Sequence, residues 1–386
     1  MISNIRRNKF LRTHNKLFFV VPFLSVLILV LISLLFPNPN WDAIGYSSVV
    51  FEQRGESVID AHSNAYRQLY EAVPAGAFKN LTTGNPYRKV AFQNPQFLHE
   101  MYGAYSAKIL YVKLLLLLSY SNLNLYFLMT LISTISGALS FLILYRLGIK
   151  LGFTSLLSSV IPILGGLIVT TRLRTPDALS ILFLCIFLSC TLNKKRFLPL
   201  ISLSILPFIR PENLIIYFVL LLALSRVREF NFKQKITFAV NFVLVSMLCK
   251  TLLDFEESWS MSKSLNFLIN NQEGALATIA ELNSTFSIYS YIYLLASLIL
   301  TTGPILLLVA LPLVPFKFKA KPTIYLSYFE LINKLLAIYS IIRIILFPLF
   351  EIRFFTFQLI LILFQIFYIL LKPYEFKSPS PTPRDV

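Results

Sequence analysis

Of the 386 residues, 56% are hydrophobic and 14% charged, with a formal net charge of +17. Apolar residues occupy every side of successive stretches of about 20 residues, the length that spans hydrocarbon, which excludes a soluble enzyme fold and indicates an all-α polytopic membrane chain. The basic residues stand in short clusters between apolar runs, not in a continuous stripe interleaved with aromatics. The charge therefore reads as a topology signal, and a nucleic-acid partner is excluded.

Arg6, Arg7, Lys9, Arg12 and Lys16 lead into the first apolar run, 17–36. That run is too long for the apolar part of a cleaved signal peptide and no small-residue cleavage pattern precedes Pro37, so a retained signal anchor is expected. A long connection follows, about 37–121. Within it Val58, Ala61, Ala65 and Leu69 recur at helical spacing with polar residues between them. This predicts an amphipathic helix over 57–73, lying along the membrane surface. Asn-Pro pairs at Asn85 and Asn94 break the loop afterwards. The stretch Tyr105 to Tyr120 is apolar but short and carries Lys108 and Lys113. It is expected to be interfacial or re-entrant, because a full crossing there would reverse every later loop.

Further crossings are predicted at roughly 122–145, 154–171, 177–192, 197–209, 213–225, 236–253, 287–315, 323–347 and 354–371, about ten in all. With the amino terminus cytoplasmic, the inner connections hold Arg146 and Lys150, then Lys194, Lys195 and Arg196, then Arg226, Arg228, Lys233 and Lys235, then Lys317, Lys319 and Lys321. Every inner turn is then basic and both termini are cytoplasmic, as in a bacterial inner-membrane protein. Residues 1–371 form one membrane domain, and the Ser- and Pro-rich tail, 372–386, is expected to be disordered. Gly303 and Pro304 leave 287–315 open as one tilted crossing, a kinked one or two half-helices. Cys185, Cys190 and Cys249 lie inside apolar runs, where cysteine behaves as a small hydrophobe.

Four outer elements carry unusual residues. Asn40-Trp41-Asp42 follows the first crossing, and its carboxylate could be a general base, a metal ligand or a helix cap. Thr171-Arg172-Leu173-Arg174-Thr175-Pro176-Asp177 opens a later crossing; its arginines run against the positive-inside bias and suit an anionic ligand. Arg210-Pro211-Glu212 interrupts an apolar stretch, 197–225. That stretch would measure about 44 Å as one helix, and each half spans only about 20 Å of the ~30 Å core. Arg210 and Glu212 are thus expected to be recessed and either paired as a brace or facing a wet cavity. Glu351-Ile352-Arg353 is a fourth charged interruption, with an exposed salt bridge as its plainer reading. Together these elements supply carboxylates for acid–base or metal work and arginines for phosphate on one face.

At these residues the pattern resembles the GT-C superfamily, polytopic glycosyltransferases that use sugars carried on polyprenyl phosphate, such as aminoarabinose transferases and protein mannosyltransferases. Trp41-Asp42 and the 57–73 segment resemble the acidic motif and surface helices of that family's first external loop. Arg174-Thr175-Pro176-Asp177-Ala178-Leu179-Ser180 is similar to its second external aspartate, and Glu351-Ile352-Arg353-Phe354 to its late basic turn. Tyr105-Ser106-Ala107-Lys108 is similar to the segment after the surface helices. Asp42 is followed by Ala43, however, where many members carry a paired acidic motif.

The resemblance implies Asp42 as general base for an inverting transfer and Asp177 as a group that positions the acceptor or helps hold a divalent cation. Lys108, Arg172, Arg174, Arg210 or Arg353 would stabilise the departing phosphate, with Glu212 and Glu351 beside them. His62, like His99, is a further acid–base or metal candidate against a plainer reading as a surface histidine. The implied partners are a lipid-linked sugar donor, membrane lipid and an acceptor glycan, lipid or protein. A lipid-linked-substrate transporter or flippase, a polysaccharide polymerase or ligase, and a structural subunit remain open alternatives.

Overall fold

The computed structural model describes residues 20–193, 197–226, 232–256, 263, 288–313, 324–346 and 351–371. The basic amino-terminal cluster, Lys194 to Arg196, Arg228, the Lys317 to Lys321 cluster, most of the stretch between Asp254 and Phe286, Pro348 to Phe350 and the tail lie outside the described residues.

Among the described residues the regular structure is helical, apart from an isolated bridge pairing Asn38 with Leu173. Helix α1 covers Val20–Leu35. The long connection after it folds into α2 (Asp42–Gln53), α3 (Val58–Ala72), α4 (Ala75–Thr83), α5 (Pro86–Gln93), α6 (Pro95–His99), α7 (Tyr102–Ser106) and α8 (Ile109–Ser119). The bundle continues with α9 (Leu125–Lys150), α10 (Ser155–Leu164), α11 (Leu167–Thr171), α12 (Asp177–Leu192), α13 (Leu198–Ile209), α14 (Asn213–Arg226) and α15 (Phe232–Phe255). It closes with α16 (Ile288–Ala310), α17 (Ile324–Leu346) and α18 (Ile352–Leu371).

The amphipathic segment expected at 57–73 is α3. Ser57 caps it by accepting the Asp60 amide at 3.2 Å, and Ala61, His62, Ala65, Tyr66 and Leu69 form the buried face, packed on α2 and α9. The Asn-Pro pairs do not simply break the loop; each starts a helix. Asn85 accepts from the Arg88 amide at 2.8 Å, and Asn94 from the Gln96 and Phe97 amides at 3.0 and 3.3 Å, with proline at the first helical position. A proline there sacrifices an amide that has no helical partner anyway. Around Lys108 the chain turns sharply: Pro95–Ser106 and Ile109–Ser119 meet at 114°, an angle that suits a broken crossing or a re-entrant loop.

Among the described residues three helices are long and apolar enough to cross a membrane by length and composition: α9, α15 and, in α18, Arg353–Leu370. Val20–Leu35, Ser155–Leu164, Asp177–Leu192, Leu198–Ile209, Asn213–Leu222 and Tyr291–Leu300 are apolar but shorter. The run expected at 154–171 is divided into α10 and α11 at Gly165-Gly166, where Gly166 adopts φ 94°, a left-handed conformation that a residue with Cβ resists. Of the readings open for 287–315, the helix of α16 runs unbroken past Gly303 and Pro304 to Ala310.

Helix α12 lies between α9 and α13, and α18 packs on α10, α11, α12 and α17. Buried polar contacts tie these apolar helices together: Asn333 donates to Gln365 at 2.9 Å, Gln358 to the Val309 carbonyl at 2.9 Å, and the Thr170 and Thr356 hydroxyls meet at 2.7 Å. In an apolar surround such bonds fix helix register, because a slip strands a polar group.

The bundle has two distinguishable ends. At one, the Asn38 amide donates to the Arg172 carbonyl at 2.9 Å, which joins the connection after α1 to the connection before α12. The α13–α14 turn and the start of α18 join them there through Arg210–Asp177 and Arg353–Asp42 contacts. At the other, Lys150 at the end of α9 reaches Asn193 at the end of α12.

Candidate functional site

The site grows from four helix starts that meet at the first end. Asp42 opens α2; its amide donates to Asn40 Oδ1 at 3.1 Å, and Asn40 Nδ2 returns a bond to Asp42 Oδ2 at 3.3 Å. This local turn ties the carboxylate to Asn40 at the start of the helix. Trp41 beside it is buried against Tyr87 and Tyr105, with ring centroids 4.9 and 6.2 Å away. Tyr105 lies directly over Gly45, where a Cβ would come within 2.3 Å of its ring. A side chain at position 45 would therefore displace the ring that packs against Trp41, next to the acid.

Asp177 opens α12 behind Pro176. Thr175 Oγ1 donates to its Oδ2 at 2.7 Å, and Arg210 pairs with its Oδ1. Arg210 sits in the turn between α13 and α14, which Asn213 holds against α12 by donating to Ser180 Oγ at 3.0 Å. The same arginine lies 3.5 Å from Glu212. Arg353, in the first turn of α18, lies 2.8 Å from Asp42 Oδ2 and 3.7 Å from Asp177 Oδ2, and pairs with Glu351. One guanidinium thus links two aspartates from distant parts of the chain. The two acids differ in access: the Asp42 side chain is 29% exposed and that of Asp177 only 5%.

Arg343, from the end of α17, joins the cluster and was not anticipated. It is buried, and its Nη1 has no hydrogen-bond partner. The guanidinium carbons of Arg343, Arg210 and Arg353 lie 3.8, 4.8 and 4.9 Å from the centre of one ring, Phe354. Gathering three cations around an aromatic face gains cation–π energy but sets like charges against one another. Asp177 and Glu212 offset part of that repulsion, and burial that would by itself raise the Glu212 carboxyl is outweighed by Arg210 and Lys108, which hold it below the usual range. Lys108, at the 114° bend, donates to the Ala104 carbonyl at 2.6 Å and is within electrostatic reach of Glu212, Asp42 and Asp177.

The arginines, Asp177 and Glu212 line a cavity of ≈ 40 Å³, room for about a water and too small for a sugar. Any larger ligand has to open the ion pairs. Asp42 and Asp177, the pair expected to take part in cation binding, both face Arg353. Among the described residues no group of three His, Cys, Asp or Glu side chains is arranged to hold a metal ion.

The other residues singled out in the sequence lie elsewhere. Arg172 and Arg174 turn to a separate groove beside the end of α1. His62 is buried in α3, its Nε2 3.0 Å from the Ala91 carbonyl and its ring against Tyr66. His99 pairs with Glu52 at 2.7 Å in a further polar pocket with Lys113 and Glu256. The cue for Arg343 was present: an arginine within an apolar run is costly in a membrane and usually faces a partner or cavity.

Comparison of the chain with protein-family models, curated proteins and solved structures finds no match.

Proposed function

We propose that this chain is a membrane glycosyltransferase of the GT-C kind, moving a sugar with inversion from a polyprenyl-phosphate donor to an acceptor on the extracytoplasmic side. The observation that carries the reading is the convergence of Arg210, Arg343 and Arg353 on Phe354 beside Asp42 and Asp177. Arg343 keeps an unpartnered Nη1 within this group of three guanidiniums, which suits a phosphate that gains negative charge as a glycosidic bond breaks.

In this reading Asp42, the more open acid, takes the proton from the acceptor hydroxyl or amine as that atom attacks the anomeric carbon. The bond between that carbon and the phosphate oxygen breaks, and the electron pair leaves with the polyprenyl phosphate towards the arginines. Asp177, fixed by Thr175 and Arg210, orients Arg353 and the acceptor. Because Arg353 now holds Asp42, donor phosphate that takes over Arg353 also frees the base. The shorter apolar helices complete about ten crossings of a bacterial inner membrane, with both termini cytoplasmic and the end that carries Asp42, Asp177 and the arginines outside; the basic connections support this orientation.

The test is a transfer assay with synthetic undecaprenyl-phosphate hexoses, following release of undecaprenyl phosphate. Asp42→Asn is expected to lower the rate at least about 100-fold, the usual share of a general base, in a protein that still folds and unfolds cooperatively although it has lost the Arg353 pair. Full activity in this variant removes Asp42 as base. Movement of the sugar lipid across proteoliposomes without turnover replaces the transferase with a transporter.

A further inference from the structure

A groove separate from the Asp177 cavity lies beside Arg172 and Arg174, in the same connection before α12. The Arg174 side chain is only 3% exposed, yet none of the ion pairs among the described residues involves it. Its Nε donates to Thr130 Oγ1 at 3.1 Å and one Nη to the Ala72 carbonyl at 3.3 Å, while its face rests 5.5 Å from the Tyr126 ring. The remaining nitrogen, Nη1, is buried without a partner. A guanidinium held this way by neutral groups keeps its full charge and an unused donor, and burying it uncompensated is costly.

The groove beside it has a volume of ≈ 580 Å³ and is lined by Arg174 and Arg172 together with apolar side chains such as Leu34, Leu35 and Phe127. Arg172 donates through Nε to the Phe36 carbonyl at 2.6 Å, which anchors its guanidinium at the end of α1. Glu71 also borders the groove, and Asn124 lies 3.4 Å from its carboxylate. Two arginines therefore face one acid, a net positive site. Leu35 at the end of α1, Phe36 just after it and Phe127 on α9 are 66%, 63% and 47% exposed, so the groove is bordered by apolar surface open to lipid.

We propose that this groove holds an anionic lipid, its phosphate on Arg174 and Arg172 and its chain along Leu34, Leu35 and Phe127. A headgroup-level pair of arginines at the end of an apolar helix matches a phosphate, and the apolar wall distinguishes a lipid phosphate from a free one. The site does not depend on the glycosyl-transfer reading, since its occupant does not react.

The experiment titrates dioleoylphosphatidylglycerol into the detergent-purified full chain and counts retained lipid by native mass spectrometry. Parallel arms use dioleoylphosphatidylcholine and inorganic phosphate. One phosphatidylglycerol is expected to be retained, with affinity reduced at least about tenfold in Arg174→Gln, the loss of one charged hydrogen-bonding group. Phe127→Trp narrows the chain wall at an exposed position and is expected to weaken the same lipid, so the result stands even if Arg174→Gln fails to fold. Equal retention by wild type and Phe127→Trp overturns the site, as does equal binding of phosphatidylcholine. Inorganic phosphate that displaces the lipid at equal concentration overturns the lipid assignment.

Discussion

Arg353 Nη1 donates to the Asp42 carboxylate at 2.8 Å, although the two residues are 311 positions apart. The bond closes the end of α18 over the start of α2. It also lets one cation hold Asp42 and Asp177 in common.

Removing that cation leaves two acids facing each other. Arg353→Gln is expected to destabilise the protein by about 3 kcal/mol, the lower end for a broken buried pair, because Asp177 keeps Arg210. Adding Asp42→Asn should recover part of the loss. Denaturant titrations of the single and double variants measure the coupling; additive losses would mean the two side chains do not interact.

Arg343 should behave in the opposite way. Its Nη1 has no partner, so Arg343→Met should be neutral or stabilising by about 1 kcal/mol, because the variant buries no unpaired charge. On the proposed function the same variant loses sugar transfer. Stability and turnover measured together distinguish a phosphate-facing arginine from a packing one, for which both would fall in step.

Gly45→Ala tests how the tyrosine layer supports Asp42. A methyl group within 2.3 Å of the Tyr105 ring forces that ring to move, at a cost of about 1–3 kcal/mol for overpacking. A lower thermal midpoint with altered tyrosine or Trp41 fluorescence is the expected outcome. An unchanged midpoint would show that the ring has room to yield.

His62 gives a pH dependence. Burial lowers its pKa below 6.5 against the smaller opposing effect of the Ala91 and Phe92 backbone. The unfolded chain therefore binds the proton more readily, so the contribution is complete above about pH 6.5 and is lost as pH falls through the folded value. His62→Gln should flatten the stability profile in that window and leave it unchanged at pH 8. Denaturation midpoints between pH 8 and pH 5 provide the measurement.

Much of the helical framework was legible because helix formation and burial are local. The Val58, Ala61, Ala65 and Leu69 spacing gave α3, and the run 177–192 is the helix Asp177–Leu192. The division at Gly165-Gly166 was missed because the run around it is uniformly apolar, although paired glycines are themselves a breaker signal. The small helices α5 and α6 were hidden for the opposite reason: their Asn-Pro starts look like interruptions until the asparagine side chains are seen to cap the next turn. Arg343 was overlooked among the apolar residues of α17.

The sequence by itself determined that the chain is an apolar, all-helical protein with isolated charged interruptions between its helices. Those features depend on hydropathy and on hydrogen bonds within a few residues. Only the tertiary packing decided how the charges are shared: Asp42, Asp177, Arg210 and Arg353 form one cluster, while Arg174, three positions before Asp177, turns to a different groove. Neighbours along a turn face opposite ways, and partners hundreds of residues apart meet only when the helices between them are packed.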